Sequence, residues 1–350
     1  MVTTTSARLR RPRPPGVAGE RFTWIFVLLC CWLMAGAYLD SWHHHSLTRP
    51  ETNFLTPFHA VLYSGMAAIG IFLGINVWRN YRRHGTWADL LPDGYGLSLL
   101  GTVLFGLGGV LDLLWHARFG IELSVAALFS PPHLFLMLTG GLIVSGPLRA
   151  AMRRGSHRAT WPAVISGALT LSMLTFFFQF DHPFIDRWAA GVAVDPRGPY
   201  WMEEELGMIG LVIYAAAVVG LLVILLRRFE LPTGALTVIL TINALLVSTV
   251  ANHTELVLVA LMGGAAGDLL LHVLRPSPAR PKSFHAFMFA APAALTVAYF
   301  VVLGSTTGVW WEPTIWTGAV PVTGMVGWLV SFIALPGESA RARIAQAAPA

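Results

Sequence analysis

Residues 39–59, LDSWHHHSLTRPETNFLTPFH, are rich in side chains that bind metal ions or transfer protons. Asp40 is followed four residues later by His44, and a Thr-Pro-Phe-His run ends the segment at His59. Glu51 lies between these two parts. Imidazole and carboxylate groups together suit iron, zinc or manganese, and imidazole alone also suits copper. The segment is therefore a candidate metal site in a chain that is otherwise 55% hydrophobic.

Residues 111–133, LDLLWHARFGIELSVAALFSPPH, repeat the order of these features. Asp112 precedes His116 by four residues, Glu122 follows, and a Ser-Pro-Pro-His run ends at His133. The matched Asp and His positions of the two segments are 72 to 74 residues apart. This ordered match predicts a parallel duplication of a two-helix hairpin.

Each part of the pattern has a predicted place on a helix. In the Ser/Thr-Pro-x-His run, the hydroxyl residue is the N-cap, Pro is the first helical residue and His is the third. The positive end of the helix dipole favours a neutral ring there, which a metal ligand must have. The Asp and His four residues apart share one face at the end of the preceding helix. A carboxylate at that negative end needs a cation, either a protonated His or a metal ion; alternatively, the Asp accepts a hydrogen bond from a metal-bound His.

We therefore predict that the imidazoles and acids of both segments converge on a common point and form a transition-metal site for one or two ions, with iron, copper or zinc as the metal. The predicted metal-site residues are Asp40, His44, His59, Asp112, His116, His133 and His253. Glu51 and Glu122 are predicted as catalytic bases or further ligands. His253 is included because a very short turn holds it at the rim of the predicted bundle; the alternative is ordinary helix capping by Asn252 or Thr254. One segment alone is more typical of an interfacial or capping His than of a ligand, and the second segment is what favours metal binding.

The composition indicates the class of protein. Only 12% of the residues are charged, against roughly 25% in soluble domains, and the mean hydropathy is +0.64. These values predict an all-α polytopic membrane protein. Cys30 and Cys31 lie within an apolar run and lack the spacing of a disulfide framework or a Cys metal site. The sequence contains no P-loop, dinucleotide-binding glycine motif or nucleic-acid-binding pattern.

Ten apolar runs, each close to the roughly 20 residues that a spanning helix needs, predict about ten transmembrane helices. The runs are 22–39, 56–78, 95–115, 131–148, 161–180, 206–226, 232–250, 254–274, 284–303 and 315–335. Nineteen of the 23 Lys and Arg residues fall in the two tails and in alternate connections, which predicts that both termini are cytoplasmic. This placement explains the basic charge without a nucleic-acid partner. Residues 35–37, Ala-Gly-Ala, resemble a signal-peptide cleavage site, so removal of the first run is the alternative.

The chain divides into four predicted parts. A basic cytoplasmic tail covers 1–21, and the two Asp/His/Glu hairpins occupy a four-helix region at 22–150. A second membrane region covers 151–335, with its longest outer loop at 180–205, and the remaining residues, up to 350, form a cytoplasmic tail.

On the predicted cytoplasmic side, Asp268, His272 and His285 have the spacing Asp-x3-His-x12-His. This spacing resembles the copper-binding motif in the C subunit of membrane-bound copper monooxygenases. The resemblance covers 18 residues and implies that these three side chains are copper ligands. The structural alternative is a buried Asp–His pair with an interfacial His.

Three functions are compatible with these patterns. The first is a metal-dependent membrane oxidoreductase that acts at the extracytoplasmic side on a lipid-soluble or periplasm-side small substrate. The second is a cation or metal transporter, since parallel repeats also occur in transporters. The third is a non-catalytic membrane assembly factor. In each case the predicted location is the cell membrane, where the lipid bilayer surrounds a multi-pass chain.

Overall fold

The computed structural model describes residues 16–47, 56–84, 90–121, 125–191 and 201–335. These residues form helices and connecting turns, with no β-strand among them. The α-helices are α1 Glu20–Ser46, α2 Pro57–His84, α3 Gly96–Phe119, α4 Val125–Phe129, α5 Pro131–Val144, α6 Gly146–Arg153, α7 Trp161–Phe176, α8 Trp201–Leu226, α9 Ala235–Val250, α10 Val257–Leu274, α11 Pro281–Thr306 and α12 Pro313–Ala334. The predicted all-α class is confirmed, and every predicted apolar run overlaps at least one of these helices.

Seven of the helices in the described residues are long and apolar enough to cross a membrane, and an eighth span results if α5 and α6, which meet at a bend of 44°, are one. Helices α7 and α9 are apolar but have 16 residues each. A helix of that length covers about 24 Å, which is less than the roughly 30 Å of a bilayer's hydrocarbon core. The fold is therefore that of a multi-pass helical membrane-type protein.

Helix α3 illustrates how the bundle separates apolar from polar side chains. Val103, Leu107, Val110 and Leu114 recur every three to four residues along α3, and each is at least half exposed. Soluble proteins rarely expose a continuous apolar stripe of this kind, whereas lipid contacts it favourably. On another face of the same helix, Asp112 is only 1% exposed. The one carboxylate of α3 thus points into the bundle.

Helices α1 and α2 approach each other at two glycines. A Cβ added at Gly36 of α1 would lie 2.7 Å from the Cα of Leu62, and one added at Gly65 of α2 would lie 2.9 Å from the Cα of Leu33. Small residues at such points allow helix backbones in membranes to touch. The contact places the end of α1 beside the start of α2, where the first Asp/His segment lies.

The break between α5 and α6 is held by side chains that bind the carbonyl groups it exposes. Pro147 lies in the first turn of α6 and has no N–H to donate to the preceding turn. The Ile143 carbonyl, four residues before Pro147, instead accepts the Ser98 hydroxyl at 3.1 Å, and the Leu142 carbonyl accepts a hydrogen bond from Arg149 at 2.8 Å. Because Ser98 is in α3, these bonds join α5 to α3.

The end of the predicted outer loop differs from the observed boundary, and the proline in the last apolar run does not break its helix. Helix α8 begins at Trp201, so 201–205 belong to a helix and not to the predicted outer loop. Acidic side chains in the first turn of α8, Glu203 and Glu204, favour this earlier start because they face the positive end of the helix dipole. Pro321, which interrupts the last apolar run, lies inside a continuous α12.

The close approach at Gly36 predicts a large difference between two identical substitutions. Gly36→Val should destabilise the protein by about 1–3 kcal/mol, because the new side chain meets the backbone of Leu62. Gly74→Val is the matched control, since a Cβ at Gly74 has no atom within 4 Å. Thermal unfolding of both purified variants in detergent, followed by loss of helical circular dichroism, measures the effect. Equal shifts in melting temperature would contradict the packing described for α1 and α2.

Candidate metal centres

The first Asp/His segment forms a triad across α1 and α2. The Asp40 carboxylate lies 3.1 Å from Nδ1 of His59 and 3.7 Å from Nε2 of His44. Asp40 and His44 come from the last turns of α1, whereas His59 comes from the first turn of α2. The Thr56 hydroxyl accepts the backbone N–H of His59 at 3.1 Å and also lies 3.1 Å from its Nδ1. Thr56 thus caps α2 and fixes the ring of His59.

The second segment forms an equivalent triad across α3 and α5. One carboxylate oxygen of Asp112 lies 3.3 Å from Nε2 of His116 and 3.2 Å from Nε2 of His133. Asp112 and His116 are four residues apart near the end of α3, and His133 is in the first turn of α5. The Ser130 hydroxyl lies 2.9 Å from Nδ1 of His133, in the position that Thr56 occupies in the first triad.

The geometry of both triads fits a single metal ion in each. Asp40, His44 and His59, and likewise Asp112, His116 and His133, each offer three ligand atoms that lie within 4.8 Å of one another. Ligands bound about 2.1 Å from one ion are separated by about 3.0–3.4 Å in octahedral or tetrahedral geometry. Most of the observed Asp–His distances already lie in this range. Within the described chain, these are the two groups of three or more His, Cys, Asp or Glu side chains with such spacing.

The hydrogen bonding of His116 requires a metal ion or a further proton in the second triad. Nδ1 of His116 lies 3.0 Å from the carbonyl oxygen of Gly120, which can only accept, so this nitrogen carries a proton. In a neutral ring, Nε2 then has a lone pair, and it faces the carboxylate of Asp112. Two acceptors at 3.3 Å repel each other unless a metal ion or a proton lies between them. A backbone carbonyl that fixes the tautomer in this way is a common feature around metal-bound His.

Both triads line one cavity of about 140 Å³. We expected all four imidazoles to meet at a common point; the structure instead assembles them as one pair for each Asp. Tyr63, one turn after His59 in α2, also lines the cavity and lies within electrostatic reach of both Asp40 and Asp112. Its ring is stacked with that of His59 at a centroid distance of 6.2 Å. Tyr63 was not among the predicted site residues, although its position four residues after His59 places both on one helix face.

The remaining predicted site residues lie elsewhere or outside the described residues. Glu51 and Glu122 fall outside them. His253 belongs to neither triad; its Nδ1 lies 3.7 Å from the carboxylate of Glu255. Burial, followed by the nearby charge of Arg187, lowers the pKa of His253 below its usual value. His182, in the turn after α7, is buried to 2% exposure, and this burial lowers its pKa to about 3.

The three residues of the copper-like spacing do not form a group of ligands. The Asp268 carboxylate accepts the backbone N–H groups of Leu236 and Thr237 at 3.1 and 3.0 Å, so it caps the start of α9. The imidazole of His285 lies 2.6 Å from the hydroxyl of Ser331. These contacts give Asp268 and His285 separate roles in packing, and the copper-ligand interpretation of this motif is not supported.

Comparison of the chain with protein-family models, with curated proteins and with solved structures finds no match. The two triads and the cavity that they line are therefore the features of this protein that indicate its function.

The contacts of Asp112 predict that it joins α3 to α5 even without metal. Asp112→Ala removes the acceptor that His116 and His133 share, so the chelator-treated protein should lose about 1–3 kcal/mol of its free energy of unfolding. Asp93→Ala, which breaks the surface ion pair with Arg153, should cost much less because exposed pairs contribute little. Titration with a denaturing detergent compares the two variants. Equal losses would show that the buried carboxylate does not hold these helices together.

Proposed function

We propose that the protein is a metal-dependent oxidoreductase of the membrane that binds one transition-metal ion at each Asp/His triad. The observation that carries this proposal is the pairing of two triads of the same composition around one cavity. Two His and one carboxylate, with the other coordination positions open, are the ligand set of non-haem iron oxygenases. Iron is therefore the first choice among iron, copper and zinc.

The chain's own residues hold the proposed ligands in fixed orientations. Gly120 accepts from Nδ1 of His116 and Ser130 contacts Nδ1 of His133, so both imidazoles of the second triad have a partner on the nitrogen that faces away from Asp112. In the first triad, Thr56 contacts the same nitrogen of His59 that faces Asp40. Such partners set the tautomer and the direction of the ligating nitrogen. A bound iron ion would supply oxygen-activating chemistry, and the side chains around it would position the substrate and exclude water. Glu51 and Glu122 remain proposed bases.

Transport of a cation is the second candidate, and it has one observation in its favour. His44 and His133 are each about a quarter exposed, so an ion could reach the triads from the surface. Beyond the triads, however, the cavity walls are mainly apolar, with side chains such as Leu33 and Phe105. An ion that continued across the membrane would need polar groups along its path. The cavity therefore favours an enzyme over a transporter, and also over an assembly factor, for which it has no evident use.

Metal analysis of the purified protein tests the proposal directly. We expect about two ions per chain, detected by mass spectrometry after gel filtration. His59→Ala and His133→Ala should each lose about one ion, and the double variant should lose both. His157→Ala is the control, because His157 is exposed and belongs to neither triad. Unchanged metal content in the triad variants would overturn the proposal.

Activity measurements then separate the candidate functions. Metal-dependent oxygen consumption by the loaded protein supports the oxidoreductase, whereas metal uptake into sealed vesicles supports the transporter. Absence of stoichiometric metal favours the assembly factor.

We further propose that the first four spans arose by duplication of the Asp/His hairpin and that ten spans leave both termini in the cytoplasm. The ten-span arrangement requires α7 and α9 to cross despite their length, which local thinning of the bilayer allows. The alternating placement of Lys and Arg supports it.

Single cysteines introduced into a chain with Cys30→Ser and Cys31→Ser test this arrangement. Ser156→Cys and Phe180→Cys flank α7, and Arg228→Cys and Thr254→Cys flank α9; all four positions are exposed. A membrane-impermeant thiol reagent should label Phe180→Cys and Thr254→Cys in intact cells, and the other two only after lysis. Labelling of both members of a pair from the same side would show that the helix between them does not cross.

A further inference from the structure

We infer that the cavity between the two triads is the binding pocket of a small, predominantly apolar molecule that contacts both metal sites at once. This inference rests on the proposed function and names the class of its substrate. It starts from the fact that Asp40, His44, His59, Asp112, His116 and His133 all line the same cavity.

The cavity extends from the triads towards the middle of the spans. Leu33 lies seven residues before Asp40 in α1, and Phe105 lies seven residues before Asp112 in α3; all four line the cavity. Seven residues of helix cover about 10 Å. The carboxylates are therefore at one end of the cavity, and its floor is about two helical turns deeper in the bundle. A bound molecule would place its apolar body on this floor and one end between the triads.

The walls of the deeper part select for an apolar occupant. Met137 of α5 and Met173 of α7 complete the floor with Leu33 and Phe105. Thioether side chains adapt to the shape of an apolar ligand because they are unbranched and polarizable. The polar side chains that line the cavity outside the triads are Ser41 and Tyr63, and the Ser41 hydroxyl is 2.5 Å from the side-chain oxygen of Gln179. A ligand with several hydrogen-bonding groups would leave most of them unsatisfied.

The volume of the cavity sets the size of the molecule. A cavity of about 150 Å³ lined by apolar side chains stays dry and binds benzene or xenon. The cavity of about 140 Å³ thus suits a molecule of about six non-hydrogen atoms. The acyl chain of a membrane lipid is much longer than this and would fit only in part, so we infer a free small molecule that is dissolved in the membrane.

Xenon provides a probe of this pocket that does not depend on turnover. Crystals of the full-length protein, with and without added iron, are pressurised with xenon, and anomalous scattering locates the bound atoms. We expect xenon in the cavity in both states. Density for a lipid acyl chain in the cavity, or no xenon there, would overturn the inference.

Cavity-filling substitutions give the matched comparison. Ala37 of α1 lines the cavity, so Ala37→Phe should abolish xenon binding, and Met137→Trp should do the same from the opposite wall. Ala67→Phe is the control, because Ala67 is on an exposed face of α2 and does not line the cavity. Saturating benzene should raise the melting temperature of the wild type and of Ala67→Phe by about 2 °C or more, and should leave the two filled variants unchanged. The same benzene-induced shift in the filled variants would show that benzene binds elsewhere.

Metal analysis of the same samples keeps the two proposals separate. If xenon binds in the cavity but no metal is present, the metal-dependent function fails and the apolar pocket stands. If metal binds but the cavity takes up neither xenon nor benzene, the pocket fails and the metal sites stand.

Discussion

A carboxylate held between two imidazoles is the interaction on which this end of the bundle depends. Asp112 is almost fully buried, and a charge in such surroundings is costly unless positive or proton-donating groups surround it. One of its partners follows four residues later on α3, but the other, His133, is on α5. Asp40 pairs with His59 across α1 and α2 in a similar way, although through Nδ1 of the imidazole and not Nε2. In each case a charge that cannot remain alone fixes the distance between two helices.

The rest of the fold makes these contacts possible. Gly36 and Gly65 allow α1 and α2 to touch, so a short side chain such as Asp40 reaches across to the neighbouring helix. Helix α5 is shorter than α1 and α2, because it ends after 14 residues, and its length alone does not hold it in place. Its far end is tied to α3 by Arg149 and Ser98 instead. Two different kinds of helix contact, a close approach at glycines and a set of hydrogen bonds, therefore produce triads of the same composition.

The sequence was sufficient to predict where each Asp and His lies on its helix. It was insufficient to predict which of these side chains come together. The four-residue spacing and the Ser/Thr-Pro-x-His runs place each Asp and His on a helix end, because helical periodicity and capping depend on neighbouring residues alone. Which imidazoles share a carboxylate depends on helix packing, so one cluster was expected where two triads formed. The cavity, with walls from α1, α2, α3, α4, α5 and α7, has no signature in any one segment. The spacing of Asp268, His272 and His285 was misleading because Asp268 caps the start of the preceding helix, α9, a contact that the spacing does not indicate. The sequence also does not determine the number of spans, because α7 and α9 are apolar but short.

The position of Tyr63 in the cavity that both triads line has an electrostatic consequence. Its phenol is within reach of both Asp40 and Asp112, and the walls around it are mainly apolar. Charges interact more strongly across such a medium than across water. A cation that binds at one triad therefore changes the electrostatic potential at the other. The second ion then enters a cavity that is less negative than it was for the first ion. Two centres with the same ligands would then bind their ions at different ion concentrations. The apparent binding constants would belong to the pair of sites and not to either triad alone.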